Sequence, residues 1–241
     1  MNKKSTECYI LHARPFKETS LILNLFSQQK GRFSLLAKGV KRKNAQAQRA
    51  ILQPFNLLNI EYVGRGELKI LSNAELKKST SVFEPINLSN RALACGYYLN
   101  ELLIRSIQEW QEFERLFHIY DNSLKALKSR LEYSAILRNF EVSLLEELGV
   151  APPWKVDVEG DVICSEKRYH FNPEQGFELF EKNSEMDYLY QGDSGFNGDA
   201  ILSLGYGRYK PEVVKKCQQI TQMILREIIG DKPLESRKLW L

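Results

Sequence analysis

Gly31-Arg32-Phe33-Ser34-Leu35-Leu36-Ala37-Lys38-Gly39-Val40-Lys41-Arg42-Lys43-Asn44-Ala45-Gln46-Ala47-Gln48-Arg49-Ala50 begins as an alternating strand and ends as a run that cannot pack as one. From Lys38 to Arg49 there are five cations, no acid and, beyond Val40, no large apolar side chain. A tract with so little to bury stays in water. Lys38, Lys41, Arg42, Lys43 and Arg49 are therefore expected to form a flexible positive arm on a β-rich body, suited to holding a polyanion, of which nucleic acid is the commonest. A solvated surface loop has the same composition, so the rest of the chain has to decide.

On either side of this stretch the sequence reads as short strands. Cys8–Ala13 and Thr19–Phe26 precede it, the second alternating Leu21, Leu23 and Leu25 with Ser20, Ile22 and Asn24. Leu57–Val63 and Glu67–Leu71 follow, joined by a Gly64-Arg65-Gly66 turn. Five short strands with one long polar connection suit a small closed barrel of the OB type, although an SH3-like barrel or an open meander also fits the pattern.

Charge separates this part from the remainder. Residues 1–80 hold 15 Lys and Arg against 5 Asp and Glu, a net of +10, whereas residues 81–241 hold 19 against 25, a net of −6. A basic module joined to a mildly acidic one is the asymmetry expected when one module binds a polyanion.

After Pro85 the period changes. Leu88, Ala92, Cys95, Leu99, Leu102, Ser106 and Trp110 recur at steps of three or four, one face of a long helix that Asn87 or Ser89 can cap. Two further helices are expected over about 112–128 and 132–148, the latter closed by Gly149 and Pro152-Pro153. Residues 154–198 read as irregular, with a turn at Asn172–Phe177 and an exposed loop over Gln191–Gly198. A last helix begins with Pro211 at its first position, presents Val213, Cys217, Ile220, Ile224 and Ile228 on one face, and stops at Gly230. The expected class is α+β: a barrel domain over residues 1–80, then a mainly helical domain over 81–241.

Chemistry is harder to find than binding. The chain has no Walker A sequence, no GxSxG, no HExxH and no GxGxxG opening a helix. The four cysteines, Cys8, Cys95, Cys164 and Cys217, stand singly, as do His12, His118 and His170, so neither a zinc site nor a disulfide framework is expected. No signal peptide or 18-residue apolar run points away from the cytoplasm. The reading is a non-enzyme without cofactor. Candidate phosphate contacts are Arg14, Lys17, Arg32, Lys38, Lys41, Arg42, Lys43, Arg49, Arg65 and Lys69, with Phe16 and Phe33 placed to stack on bases if they are not core. A second candidate is Arg138, between Leu137 and Phe140, where a cation beside apolar residues can receive an anionic peptide end.

Several stretches, taken in order, resemble the bacterial RecO family of recombination mediators. They are Leu11–Leu21 (LHARPFKETSL), Gly31-Arg32 leading to Leu36–Lys41 (LAKGVK), Leu52–Phe55 (LQPF), Gly64–Lys69 (GRGELK), Tyr98–Leu103 (YLNELL), Leu137–Glu141 (LRNFE) and Lys232–Arg237 (KPLESR). The resemblance implies an N-terminal OB fold followed by a helical domain. It also implies binding of single- and double-stranded DNA, annealing of complementary strands coated with single-stranded DNA-binding protein (SSB), and contact with the acidic, hydrophobic SSB tail. With RecR, such proteins help replace SSB by RecA in the RecF pathway; RecF itself is a possible further partner, and the setting is the nucleoid. Arg138 matches an arginine implicated in holding the SSB tail, with Leu137 and Phe140 beside it, and Arg32 and Lys38 fall on the DNA-binding barrel. Many relatives carry a four-cysteine zinc module after the third helix. Here Cys164 is the one cysteine in residues 154–198, too few for a structural zinc site, so that segment is expected to be a metal-free remnant.

Overall fold

Side chains that alternate with a period of two put one row inside a closed sheet and one row outside. In the computed structural model, which describes residues 3–64, 66, 68–77, 88–129, 132–180 and 195–240, the N-terminal strands do this. They are β1 (Lys4–Phe16), β2 (Ser20–Ser27), β3 (Gly31–Ala37), β4 (Leu57–Val63) and β5 (Lys69–Leu76), closed in the order β1-β2-β3-β5-β4. The pairs are antiparallel except β3 with β5, where Leu35 and Leu36 lie beside Lys69 and Ile70. This is the five-stranded OB barrel, and closure rules out the open meander. Its interior holds Cys8, Ile10, Leu23, Leu25, Phe33, Leu35, Leu58, Ile60 and Tyr62, all at most 2% exposed.

The expected flexible arm needs correction. Residues 38–56 are not a free strand-end but an ordered connection, with a 3-10 turn at Lys43–Ala45 and helix α1 (Gln46–Ile51). Val40 and Leu52, each 1% exposed, insert into the barrel core at the two ends of the tract. Burying two such side chains stabilises by about 1.5–3 kcal/mol each, enough to hold the loop between them. Backbone bonds add to this: Lys41 N–H donates to Thr19 O at 3.0 Å and Arg42 N–H to Gly39 O at 3.0 Å. Lys38, Lys41, Arg42, Lys43 and Arg49 nonetheless stay in water, all five exposed.

By residue contacts the chain forms two compact units, residues 1–133 with 233–241, and residues 134–232. The first therefore contains the barrel together with α2 (Asn90–Ser106) and α3 (Glu114–Lys128). Asn100, 2% exposed in the middle of α2, cannot be left unpaired there. It donates to the Leu11 carbonyl of β1 at 2.7 Å and accepts from the Tyr120 hydroxyl of α3 at 2.5 Å, tying both helices to the barrel. The C-terminal 3-10 turn, Glu235–Trp240, docks on the same helix: Glu101 carboxylate oxygens accept from the Glu235 and Ser236 N–H groups at 2.9 and 2.8 Å. A carboxylate there satisfies donors that a helical start leaves open.

The second unit holds α4 (Tyr133–Glu147, all but its first residue), α5 (Gly198–Tyr206) and α6 (Val214–Ile229) with a small sheet of β6 (Arg168–Asn172), β7 (Gly176–Leu179) and β8 (Phe196–Asn197), ordered β7-β6-β8. The expected turn at Asn172–Phe177 is the β6–β7 hairpin, with Asn172 Oδ1 accepting from Glu174 N–H at 2.9 Å. Two other expectations shift. Pro211 lies in a turn before α6, and α5 starts at Gly198, where a loop was expected to end. Gln191–Ser194 lie outside the described residues, as does Asn87, the alternative cap. Cys164 is exposed, and among the described residues no group of three or more His, Cys, Asp or Glu is arranged to hold a metal ion.

Candidate nucleic-acid interface

Strand register sorts the candidate cations into two groups. Phe16 faces Ser20 across the β1–β2 turn and Leu21 faces Ala37, so that turn and the chain leaving β3 share one end of the barrel. The Lys41-to-Thr19 backbone bond joins them directly. This end presents Arg14, Lys17, Lys38, Lys41, Arg42 and Lys43, all exposed, with Arg49 exposed on α1 in the same connection. The opposite end is formed by the start of β1, the β2–β3 turn and the start of β5, because Lys4 faces Tyr62 and Ser27 faces Gly31. It carries Arg32 and Lys69, and also Lys4 and Lys30, which the sequence reading did not single out. Arg65, between β4 and β5 in the sequence, lies outside the described residues.

The two groups differ in what holds them. Among the described residues, the first end has no acid paired with its lysines or arginines in any of the ion pairs found. At the second end Arg32 is engaged: its Nε donates to Ile107 O at 3.0 Å and its Nη1 to Glu109 Oε1 at 3.0 Å. Lys69 sits with its ammonium 3.5 Å from the centre of the Trp110 ring. Burial lowers the Lys69 pKa and the Lys4 and Lys30 charges push the same way, against an upward pull from Glu109.

Faces of the barrel are equally unlike. On the outer side of β1-β4-β5, register brings Glu7 beside Asn59 and Glu75, and Ser5 beside Glu61 and Asn73. These line a shallow polar recess. Three of the five acids of residues 1–80 therefore share one face, partly countered by Lys77 on Glu7 and Lys3 on Glu61 at 3.1 Å. A phosphate backbone gains nothing there. Elsewhere the outer side of β1-β2 is covered: Tyr9 and Phe26 each lie 5.6 Å from the Phe117 ring of α3, and the Tyr9 hydroxyl donates to Asp121 at 2.5 Å.

The aromatic candidates separate in the same way. Phe33 is fully buried, packed 5.1 Å from Trp110 and 6.0 Å from Tyr62, so it stacks on no base. Phe16 is half-buried at the end of β1, with the Lys17 ammonium 5.6 Å from its ring centre. Trp110 was expected on the core face of a long helix. Instead α2 stops at Ser106, and Trp110, 39% exposed, stands against the barrel.

In the second unit Arg138 is not a surface group. It is 3% exposed on α4, with Leu137 at 5% and Phe140 at 0%, and its guanidinium is paired with the buried carboxylate of Glu141. The other oxygen of Glu141 accepts from the Thr221 hydroxyl of α6. Cys217, one turn before Thr221, has its thiol pushed up to about 11 by burial, with the Arg138 charge opposing. Leu137, Arg138 and Phe140 are thus all buried on α4, with Arg138 held in a buried charge pair rather than presented at the surface.

Comparison with known proteins agrees with this architecture. The family model described as "Recombination protein O N terminal" matches residues 1–80, and "Recombination protein O C terminal" matches residues 89–192. A protein named DNA repair protein RecO from Alteromonas mediterranea is 35% identical over 242 residues, covering 100% of this chain and 98% of its own. One of the same name from Coxiella burnetii is 37% identical, covering 96% and 95%, and one from Photobacterium profundum is 32% identical, covering 97% and 94%. With the OB barrel in place and the similarity running through both units, the chain belongs to the RecO family.

Proposed function

We propose that this protein is a recombination mediator in DNA repair, with no catalytic step of its own. It binds single- and double-stranded DNA without sequence preference, anneals complementary strands coated with SSB, and with RecR helps RecA replace SSB at the nucleoid. The observation that carries this reading is the β3–β4 connection, where Lys38, Lys41, Arg42, Lys43 and Arg49 are all exposed on an acid-free segment anchored by Val40 and Leu52. Annealing requires two like-charged strands to approach, and a dense cationic surface that reads no bases lowers their repulsion. The acid-bearing β1-β4-β5 face leaves the two barrel ends and the β2–β3 side as the path for a strand.

Docking of the SSB tail at Arg138 belongs to the same proposal, with a condition set by burial. A tail carboxylate reaches that guanidinium only by exchanging with Glu141 or by approaching from a side that Glu141 leaves open. The test is annealing of two complementary oligonucleotides, one labelled, both coated with cognate SSB. The reading predicts acceleration that a free SSB tail peptide abolishes. Acceleration of naked strands alone would remove the tail site and keep the barrel. No acceleration on either would favour an interaction scaffold whose basic barrel docks acidic protein or RNA.

A further inference from the structure

Trp110 is the one large aromatic among the described residues that is both exposed and flanked by the barrel's cations. Helix α2 ends at Ser106, and the following segment turns back along the first half of β3, where β5 supplies no partner. Glu109 bridges to Gly31 and Arg32, and Trp110 N–H donates to Arg32 O at 2.8 Å. Gly31 makes this approach possible: at φ +55°, a Cβ there would stand 1.7 Å from the Gln111 carbonyl oxygen. Trp110 itself has φ +64°, a left-handed conformation that costs a non-glycine residue about 1–3 kcal/mol and persists only where its surroundings enforce it. Strain of this kind is concentrated at sites where position matters for more than packing.

The indole is held but not buried. Phe33 lies 5.1 Å away at a tilt of 38°, and the Lys69 ammonium stands over the ring at 3.5 Å, yet 39% of the residue remains exposed. Tryptophan is rarely enclosed completely, so what marks this ring is the cations that surround its open part. Around it, Lys69, Lys30, Lys4 and Arg32 form the second cationic end of the barrel. An aromatic platform among cations is the arrangement that single-stranded nucleic acid uses, with bases on the ring and phosphates on the charges.

We propose that Trp110 is a base-stacking residue, taking an unpaired base of single-stranded DNA on the indole face that Lys69 covers in the free protein. The inference rests on the DNA-binding reading above and adds a residue, from outside the barrel strands, that gives that reading a preference for single strands. Lys69 is the displaceable part: its four-carbon stem lets the ammonium move from the ring to a phosphate, so one strand satisfies both groups. A duplex, whose bases are already stacked on each other, offers the ring nothing.

The test compares the native protein, Trp110→Ala and Trp110→Phe on single- and double-stranded oligonucleotides by fluorescence anisotropy. Trp110→Ala is expected to lose on the order of tenfold in single-strand affinity, with duplex affinity within about twofold and an unchanged salt slope. Trp110→Phe keeps a stacking ring, so it binds single strands nearly as the native protein does. It lacks that indole, so the Trp110 share of the quenching expected when single strands are added is lost, leaving only what Trp154 and Trp240 contribute. Equal losses on both substrates, or quenching that is undiminished in Trp110→Phe, would overturn the proposal even if Trp110→Ala folds poorly. A native protein that binds neither substrate would instead sink the DNA-binding reading, and this inference with it.

Discussion

Arg32 and Glu109 meet at 3.0 Å, so the arginine nearest the start of β3 already holds a carboxylate where a phosphate would sit. Glu109 Oε1 also lies 3.1 Å from the Ser34 hydroxyl, which keeps it on the β2–β3 side of the barrel. DNA reaching Arg32 has to displace this internal anion. Glu109→Gln should therefore tighten single-strand binding by roughly threefold, the scale of one exposed ion pair. It should also steepen the salt dependence by about 0.7. Anisotropy at several salt concentrations measures both, and weaker binding by the variant would show that Glu109 positions Arg32 rather than competing for it.

Replacing Lys41, Arg42 and Lys43 together by alanine removes three exposed cations that hold nothing else in the described ion pairs. Affinity should fall by a similar factor for every single-stranded sequence, and the salt slope should shrink by about 2. Thermal stability should stay within about 0.5 kcal/mol of native, because Val40 and Leu52 still anchor the loop. A loss confined to one sequence would mean that the connection reads bases.

Arg138 is a different kind of cation. Removing it by Arg138→Ala leaves the Glu141 carboxylate buried and unpaired by its guanidinium, and should destabilise the protein by about 3–5 kcal/mol. Changing both members, Arg138→Met with Glu141→Leu, should recover most of that loss, since the Thr221 hydroxyl keeps the Cys217 carbonyl at 3.2 Å. Urea denaturation measures both. If the double variant is folded, its affinity for an SSB tail peptide reports the tail site without the confusion of unfolding; undiminished affinity would remove Arg138 from that role.

Alkaline pH should unfold the protein through its buried tyrosines. Burial, and for Tyr9 the hydrogen bond to Asp121, raises the pKa of Tyr9 and Tyr120 well above the value of 10 that holds in an unfolded chain. Folded pKa values above the unfolded one mean that their contribution is intact below pH 10 and is lost as pH rises beyond it. Each tyrosine then costs about 1.4 kcal/mol per pH unit. Urea midpoints at pH 8, 10 and 11.5 should fall a little across the first interval, where the buried thiols of Cys8 and Cys217 begin to cost, and most steeply across the second, and Tyr9→Phe should flatten that second fall.

Much of this architecture could be read from residue order, and the exceptions share a cause. The barrel was legible because Phe33, Leu35 and Ala37 alternate inward in β3, a signal that one strand supplies alone. The anchoring of the cationic connection was not, because Val40 and Leu52 each look like a lone apolar residue until the barrel end is there to receive them. β5 extends to Leu76, beyond the expected Leu71; its later inward residues are the small Ala74 and the partly buried Leu76, a weak alternating signal. Trp110 fell in step with α2's apolar face, and nothing near Ser106 marks a helix stop; its place depends on Gly31, almost 80 residues earlier. Several stretches that suggested the family turn out to be tethers. Asn100 and Glu101 tie α2 to β1 and to the C-terminal turn, while Arg138 and Glu141 form a buried pair.

The central claim is that this barrel holds DNA through phosphates and not through sequence. The most direct test is the native protein's affinity for three unrelated single strands of equal length, measured from low to high salt. The account predicts superimposable lines of log K against log salt with a slope of about −3 or steeper, from four or more phosphate contacts. Flat lines, or lines that separate by sequence, would contradict it.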